Sequence, residues 1–145
     1  MRFGTAALMI AAAAATGACA QRVVEVDPVT PDVVQHAGVT MSGYARPADV
    51  VGTAAGVARS HSWPIESVDS VAGSIVVGPI EVPPSGPNAG FVARITVQAV
   101  PRGGAVDVAI RARSEPFPGV TGTRRDPRLS RYVDEVAASV SAIFR

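Results

Sequence analysis

The chain reads as a two-layer α+β domain, a three- to four-stranded antiparallel sheet with two helices on one face. Three observations predict it. Two neighbouring segments, Phe91 to Val100 and Val106 to Arg113, alternate apolar and polar residues around a Pro/Gly turn, as strands with one buried face do. The last segment, from Leu129 to Phe144, instead repeats apolar residues at helical spacing. Clusters of proline and glycine separate these segments, where an ordered chain changes direction.

Taken in order, Val39 to Tyr44 fits a short strand. Pro47 then opens a helix that runs to about Ser60, since proline suits the first helical position, and Asp49 in the first turn complements the helix dipole. Val50, Ala54, Val57, Ala58 and His61 share one face of it. Gly52 and Gly56 weaken that helix by ~1 kcal/mol each relative to alanine. Trp63-Pro64 ends it, and Ile65 to Asp69 and Ser74 to Ile80 read as two strands around a turn containing Gly73. After the loop "VPPSGPNAG" comes the clearest pair of strands. With Pro101-Arg102-Gly103-Gly104 as a four-residue loop, Val97 pairs with Val108 and Ile95 with Ile110, so both apolar sets share one face. The opposite face then carries Arg94, Gln98, Asp107, Arg111 and Arg113 and is wet. A second loop, "SEPFPGVTGTRR", leads to Asp126 as N-cap and Pro127 as first residue of the final helix. Its apolar stripe is Leu129, Tyr132, Val133, Val136, Val140, Ile143 and Phe144, with Arg131 and Glu135 an i, i+4 pair on the solvent side.

Composition narrows the function classes. Of the 145 residues 48% are hydrophobic but only 5% aromatic, so the core is built from Val, Ile and Ala. All 13 basic residues are arginine. Loss of residues 1–18 removes Arg2 alone and brings the arginines level with the 12 acidic residues, which leaves no strong positive field for general nucleic-acid binding. One cysteine and two histidines, His36 and His61, with no H-E-x-x-H motif, imply neither a disulfide nor a metal or other cofactor.

Residues 1–18 have the form of a secretory signal: Arg2 in the n-region, an apolar run from Phe3 to Ala15, then Thr16-Gly17-Ala18. The run falls short of the roughly 18 residues needed to span a bilayer. Two processing routes fit. Ala18-Cys19-Ala20 satisfies an A-x-A cleavage pattern that releases a soluble product. Thr16-Gly17-Ala18-Cys19 resembles a bacterial lipobox, in which Cys19 becomes the lipidated first residue, although Thr16 stands where leucine is usual. The only cysteine of the chain falls at that one position, which favours lipidation at Cys19, and Ala20 resembles the sorting pattern for an outer membrane. Residues 19–38, with Pro28 and Pro31 among valines, read as a tether, and residues 39–145 as the folded domain.

The order helix, "HSWPIESVDSVAGSIVV", a hairpin ending "VDVAIRARSEPF", then "RYVDEVAASVSAIF" resembles the helix-grip domains of small bacterial envelope proteins. Among these are the paired domains of an accessory lipoprotein of the outer-membrane β-barrel assembly machinery. The resemblance covers about Val39 to Arg145 and rests on element order and the Val-Asp-Val-x-x-Arg-x-Arg strand. It implies an accessory or scaffolding role and supplies no catalytic residue, and this chain has one such domain where that lipoprotein has two.

Two surfaces could bind a partner. Arg94, Arg111 and Arg113, outward on adjacent strands, could hold a carboxylate or phosphate. The loops before Phe91 and after Arg113 emerge at one end of the hairpin and gather Pro83, Pro84, Phe117, Pro118, Arg124 and Arg125 on a rim. Against each stands the plainer reading of a solvated face or loop. His61 beside Ser62 reads as a helix C-terminal histidine rather than part of a catalytic set, Trp63 as a lid on the core, and Asp134-Glu135 as solvated. The expectation is therefore a non-catalytic accessory or structural interaction protein of the bacterial cell envelope, lipid-anchored on the periplasmic side of the outer membrane, with an envelope protein as partner and no nucleic acid. The alternative is a periplasmic binding module for a small anionic ligand, soluble if Cys19 is lost with the signal.

Overall fold

A computed structural model describes residues 35–86, 90–117 and 126–145. The signal segment, Cys19 and most of the expected tether lie outside the described residues, as do Pro118, Arg124 and Arg125.

The elements run β1 (Gln35–Gly43), α1 (Pro47–Ser60), β2 (Ile65–Asp69), β3 (Ser74–Val82), β4 (Phe91–Arg102), β5 (Ala105–Pro116) and α2 (Arg128–Ala142). The sheet has five strands in the order β1-β5-β4-β3-β2, every neighbour antiparallel, one or two more than the expected three to four. β1 is the strand expected from Val39 to Tyr44. It begins at Gln35 rather than Val39, inside the stretch assigned to the tether, and pairs residue for residue with β5 from Gln35–Ser114 to Gly43–Val106. Two polar residues and a glycine among its first four hide its alternation, which only the pairing with β5 makes stable.

The β4–β5 hairpin closes more tightly than expected. Arg102 pairs with Ala105, so the turn is Gly103-Gly104, with φ of +53° and +86°. Positive φ at both central residues is what a two-residue turn matching strand twist requires, and glycine takes it without strain. Val97 therefore faces Ile110 and Ile95 faces Ala112, a register two residues from the expected one. A slip of two preserves the side-chain faces, and the division into apolar and polar faces stands.

β3 carries the least obvious feature of the sheet. Val77 pairs with Ile95 but Ile80 pairs with Ala93, so Gly78 and Pro79 together oppose the single residue Arg94. That bulge switches the inward residues from Ile75 and Val77 to Ile80 and Val82, and all four are buried. At Gly78, with φ +135°, an added Cβ would press on the carbonyl oxygen of Ala93.

Both helices cover the same face. Val50, Ala54, Val57 and Ala58 of α1 and Leu129, Val133, Val136 and Val140 of α2 join the inward residues of the strands in one core. α1 lies over β2, β3 and β4, and α2 over β1 and β5, with the two helices touching. α2 starts one residue later than expected, with Pro127 as N-cap and Arg128 as first residue, yet Asp126 Oδ1 still accepts the backbone N–H of Arg128 at 2.9 Å. None of the helices among the described residues is long and apolar enough to cross a membrane.

Candidate functional site

The outer face of the sheet is covered by no described element, and its charges are ordered. Arg94 and Arg113 lie directly opposite each other on β4 and β5. Two like charges so placed repel, and Glu115 resolves this by reaching both, 3.6 Å from Arg94 Nη1 and 3.2 Å from Arg113 Nη2. Glu66 completes the row: it is the extra residue of a bulge between Ile65 and Ser67 on β2, and its Oε2 lies 3.1 Å from Arg94 Nε. A second group sits toward the hairpin turn, where Asp107 accepts a hydrogen bond from Ser42 Oγ and pairs with Arg102 Nε at 2.7 Å.

Of the three expected anion-binding arginines, the structure thus commits two to carboxylates. Arg111 is different. It is exposed, lies opposite Thr96 and Gly38, and meets no ion-pair partner among the described residues. A ligand gripping all three guanidinium groups would first have to displace Glu66 and Glu115.

The rim expected at the other end of the hairpin is present in part. Phe117 lies over Gly90 and beside Pro84, so closely that a Cβ on Gly90 would collide with its ring. The residue that organises this corner is Arg128, to which the sequence alone assigns no role. Its guanidinium binds both oxygens of Asp126, with Nη2 at 2.7 Å from Oδ2, donates from Nη1 to the carbonyl of Pro83 at 2.7 Å, and lies 5.5 Å from the centre of the Phe91 ring. The backbone N–H of Asp126 in turn donates to Gln35 Oε1 at 2.9 Å. The Asp126 carboxyl is 6% exposed, and its hydrogen bonds from Arg128 hold it below the usual carboxylate range in spite of its burial. One ion pair therefore fastens the start of β1, the loop after β3 and the start of α2.

At the far end of α1, His61 and its neighbours form a clasp between the two helices. His61 is the C-cap residue and is exposed, not part of the buried helix face as its spacing suggests. Its ring stacks on Trp63, centroids 4.5 Å apart, and its Nε2 lies 2.6 Å from Glu135 on α2. Glu135 is thereby engaged across the helices and not with Arg131. Trp63 also meets Tyr132 at 5.2 Å, and burial pushes the Tyr132 hydroxyl up from its ordinary pKa. Ser62 has φ +56° and is exposed. No nucleophile–base contact forms here.

An open groove of about 550 Å³ lies between the first turns of α1 and the end of α2, lined by Tyr44, Ala48, Thr53 and Ile143 among others. Tyr44, expected only as the last residue of a strand, is 81% exposed at its mouth. Among the described residues no three metal-ligating side chains come together.

No protein-family model matches the chain, and no curated protein matches it.

Proposed function

We propose that this protein is an exported, non-catalytic interaction module of the bacterial cell envelope, anchored through a lipid on Cys19 and docking an envelope protein on the open face of its sheet. The observation that carries the reading is the state of that face. Five strands present it without a helix or loop among the described residues to cover it, and its side chains are held in a fixed pattern by Glu66, Glu115 and Asp107. Rigid, pre-oriented polar side chains on a sheet suit recognition of a complementary protein surface, because little ordering remains to be done on binding. Arg111 is the arginine of that face that meets no carboxylate among the described residues and is the expected centre of the contact.

Crosslinking and mass spectrometry on native membranes test this, reading neighbours and the mature N-terminus together. The expected result is a diacylglyceryl-modified Cys19 and one recurrent protein partner crosslinked near β4 and β5, lost from the Arg111→Ala chain. A chain that begins at Gln21 removes the anchor. Partner capture unchanged by both Arg94→Ala and Arg111→Ala removes the sheet face, and a small anion retained by the purified chain but lost from Arg111→Ala would put the ligand-binding alternative in its place.

A further inference from the structure

The two edges of the sheet are built differently. β2 carries the devices that keep a strand edge from pairing: it is five residues long, follows Pro64, is bulged at Glu66, and bears charge at Glu66 and Asp69. β1 carries none of them. Its nine residues have no proline, no formally charged side chain and an unbroken register with β5, and among the described residues no strand lies beyond it. A straight, neutral, nine-residue edge offers a row of backbone donors and acceptors to another strand.

We infer that the free edge of β1 is a self-association surface, on which a second copy of this chain adds its own β1 antiparallel and joins the two sheets into one of ten strands. The commitment to a second copy rests on how well β1 fits itself. The antiparallel register that uses all nine residues is centred on Val39, setting Gln35 against Gly43, Ala37 against Met41, and Val39 against its own copy. Odd residues meet odd residues, so Ala37, Val39 and Met41 stay on the helix-covered side in both copies. The largest side chain of the set, Met41, falls beside the smallest, Ala37. Like charges never face each other, because the strand has none. Val39 is only half-buried in the single chain although it packs against the core, so it has apolar surface left to cover.

The helix beside the edge leaves room for its copy. Tyr132 and Glu135 direct one flank of α2 toward Trp63 and His61, while Phe144 packs on Gly43 at the other. At helical spacing from Phe144, that second flank shows Ser130, Asp134, Ala137 and Ser141, all short. The outer sheet face is untouched by this pairing, so the inference stands or falls apart from the docking of an envelope partner there.

The test is a cysteine scan along β1 in the full chain in its own envelope, where Cys19 is lipidated or removed by either processing route and the unaltered chain serves as control. Val39→Cys is expected to give a disulfide-linked dimer on mild oxidation, because opposed residues of antiparallel strands lie about 4.5 to 5.5 Å apart between Cα atoms, within disulfide reach. His36→Cys alone and Ser42→Cys alone are expected to give none, since each lies about 20 Å from its copy in this register, while a chain carrying both gives the dimer again. Thr40→Lys, on the exposed side of the edge, should lower the yield of that doubly substituted chain several-fold with its circular dichroism unchanged. Equal crosslinking at all three single positions, or no dimer from either the Val39→Cys or the doubly substituted chain while both retain native circular dichroism, overturns the inference. So does an adduct of Val39→Cys with a different protein, which would make the edge a site for a foreign strand.

Discussion

The two faces of the sheet are made of the same strands and do opposite things. The inner face is aliphatic throughout its centre, where Ile75, Ile95, Ile110, Val97 and Val108 have no exposed surface. The outer face of the same strands carries Arg94, Arg111, Arg113, Gln98 and Asp107, of which Arg94, Arg113 and Asp107 are held in ion pairs between side chains that remain a quarter to four-fifths exposed. Burial of apolar surface scales with area and is insensitive to salt, whereas ion pairs in water are weak and screened. Stability therefore belongs to the inner face, and the charges of the outer face add little to it. A chain poor in aromatics needs this division, because its small side chains leave no spare core to offset polar residues turned inward.

The sharpest way to break the comparison is at the centre of the inner face. Ile95→Ala removes a fully buried side chain from β4 between Val77 of β3 and Ala112 of β5. Neighbours that are themselves β-branched close such a cavity poorly, so unfolding free energy should fall by about 3 kcal/mol, read from the midpoint of denaturant unfolding at constant slope. A loss no larger than that of an outer-face substitution would mean that the helices do not press on the sheet as described.

A smaller effect is expected where, among the described residues, a charge pair enters the interior. Asp126 is held below its ordinary pKa chiefly by hydrogen bonds from Arg128, so the folded state favours its ionised form. Its contribution is present above the unfolded carboxylate pKa of about 3.9 and is lost as pH falls through the lower folded value. Asp126→Asn should cost about 2 kcal/mol at neutral pH, since Arg128 is left partly buried beside a neutral amide, and should flatten the decline of stability below about pH 4. Denaturant midpoints at neutral and acidic pH measure both. An undiminished acid slope in the variant would assign the slope to the carboxylates of the outer face.

How much of this was legible in the sequence follows from the range of the interactions involved. The alternation of β4 and β5 and the stripe of α2 are local and periodic, and they placed both faces, both helices and the outward arginines correctly. β1 was cut short because its first four residues, Gln35, His36, Ala37 and Gly38, have little preference of their own and become a strand through β5, some 75 residues away in the chain. The turn at Gly103-Gly104 could have been read more tightly, since paired glycines are the composition of a two-residue hairpin turn. Gly78-Pro79 within a run of valines and isoleucines was likewise a sign of a bulge. The partners of the arginines were not legible. Nothing local distinguishes Arg94, with its two carboxylates, from Arg111, which meets none among the described residues. Nothing in the sequence marks Arg128, whose role arises only where the fold brings Asp126, Pro83 and Phe91 around it.

The smallest expected effect sharpens the comparison from the other side. Glu115 bridges Arg94 and Arg113, so Glu115→Gln leaves two guanidinium groups facing each other across adjacent strands with only Glu66 to balance them. All of these side chains are more than a third exposed, and water screens both the lost attraction and the new repulsion, so stability should fall by no more than about 1 kcal/mol. At about 1 M salt, where the screening length is roughly 3 Å, the difference from the unaltered chain should vanish, while the cost of Ile95→Ala should remain. Denaturant titrations of both variants at low and high salt decide the matter. If Glu115→Gln costs as much as Ile95→Ala and resists salt, the outer face is part of what holds the fold together, and its charges cannot be reserved for a partner. If it costs little, the ordered row of Glu66, Arg94, Glu115 and Arg113 does almost nothing for stability, and its order has to be explained by what it meets.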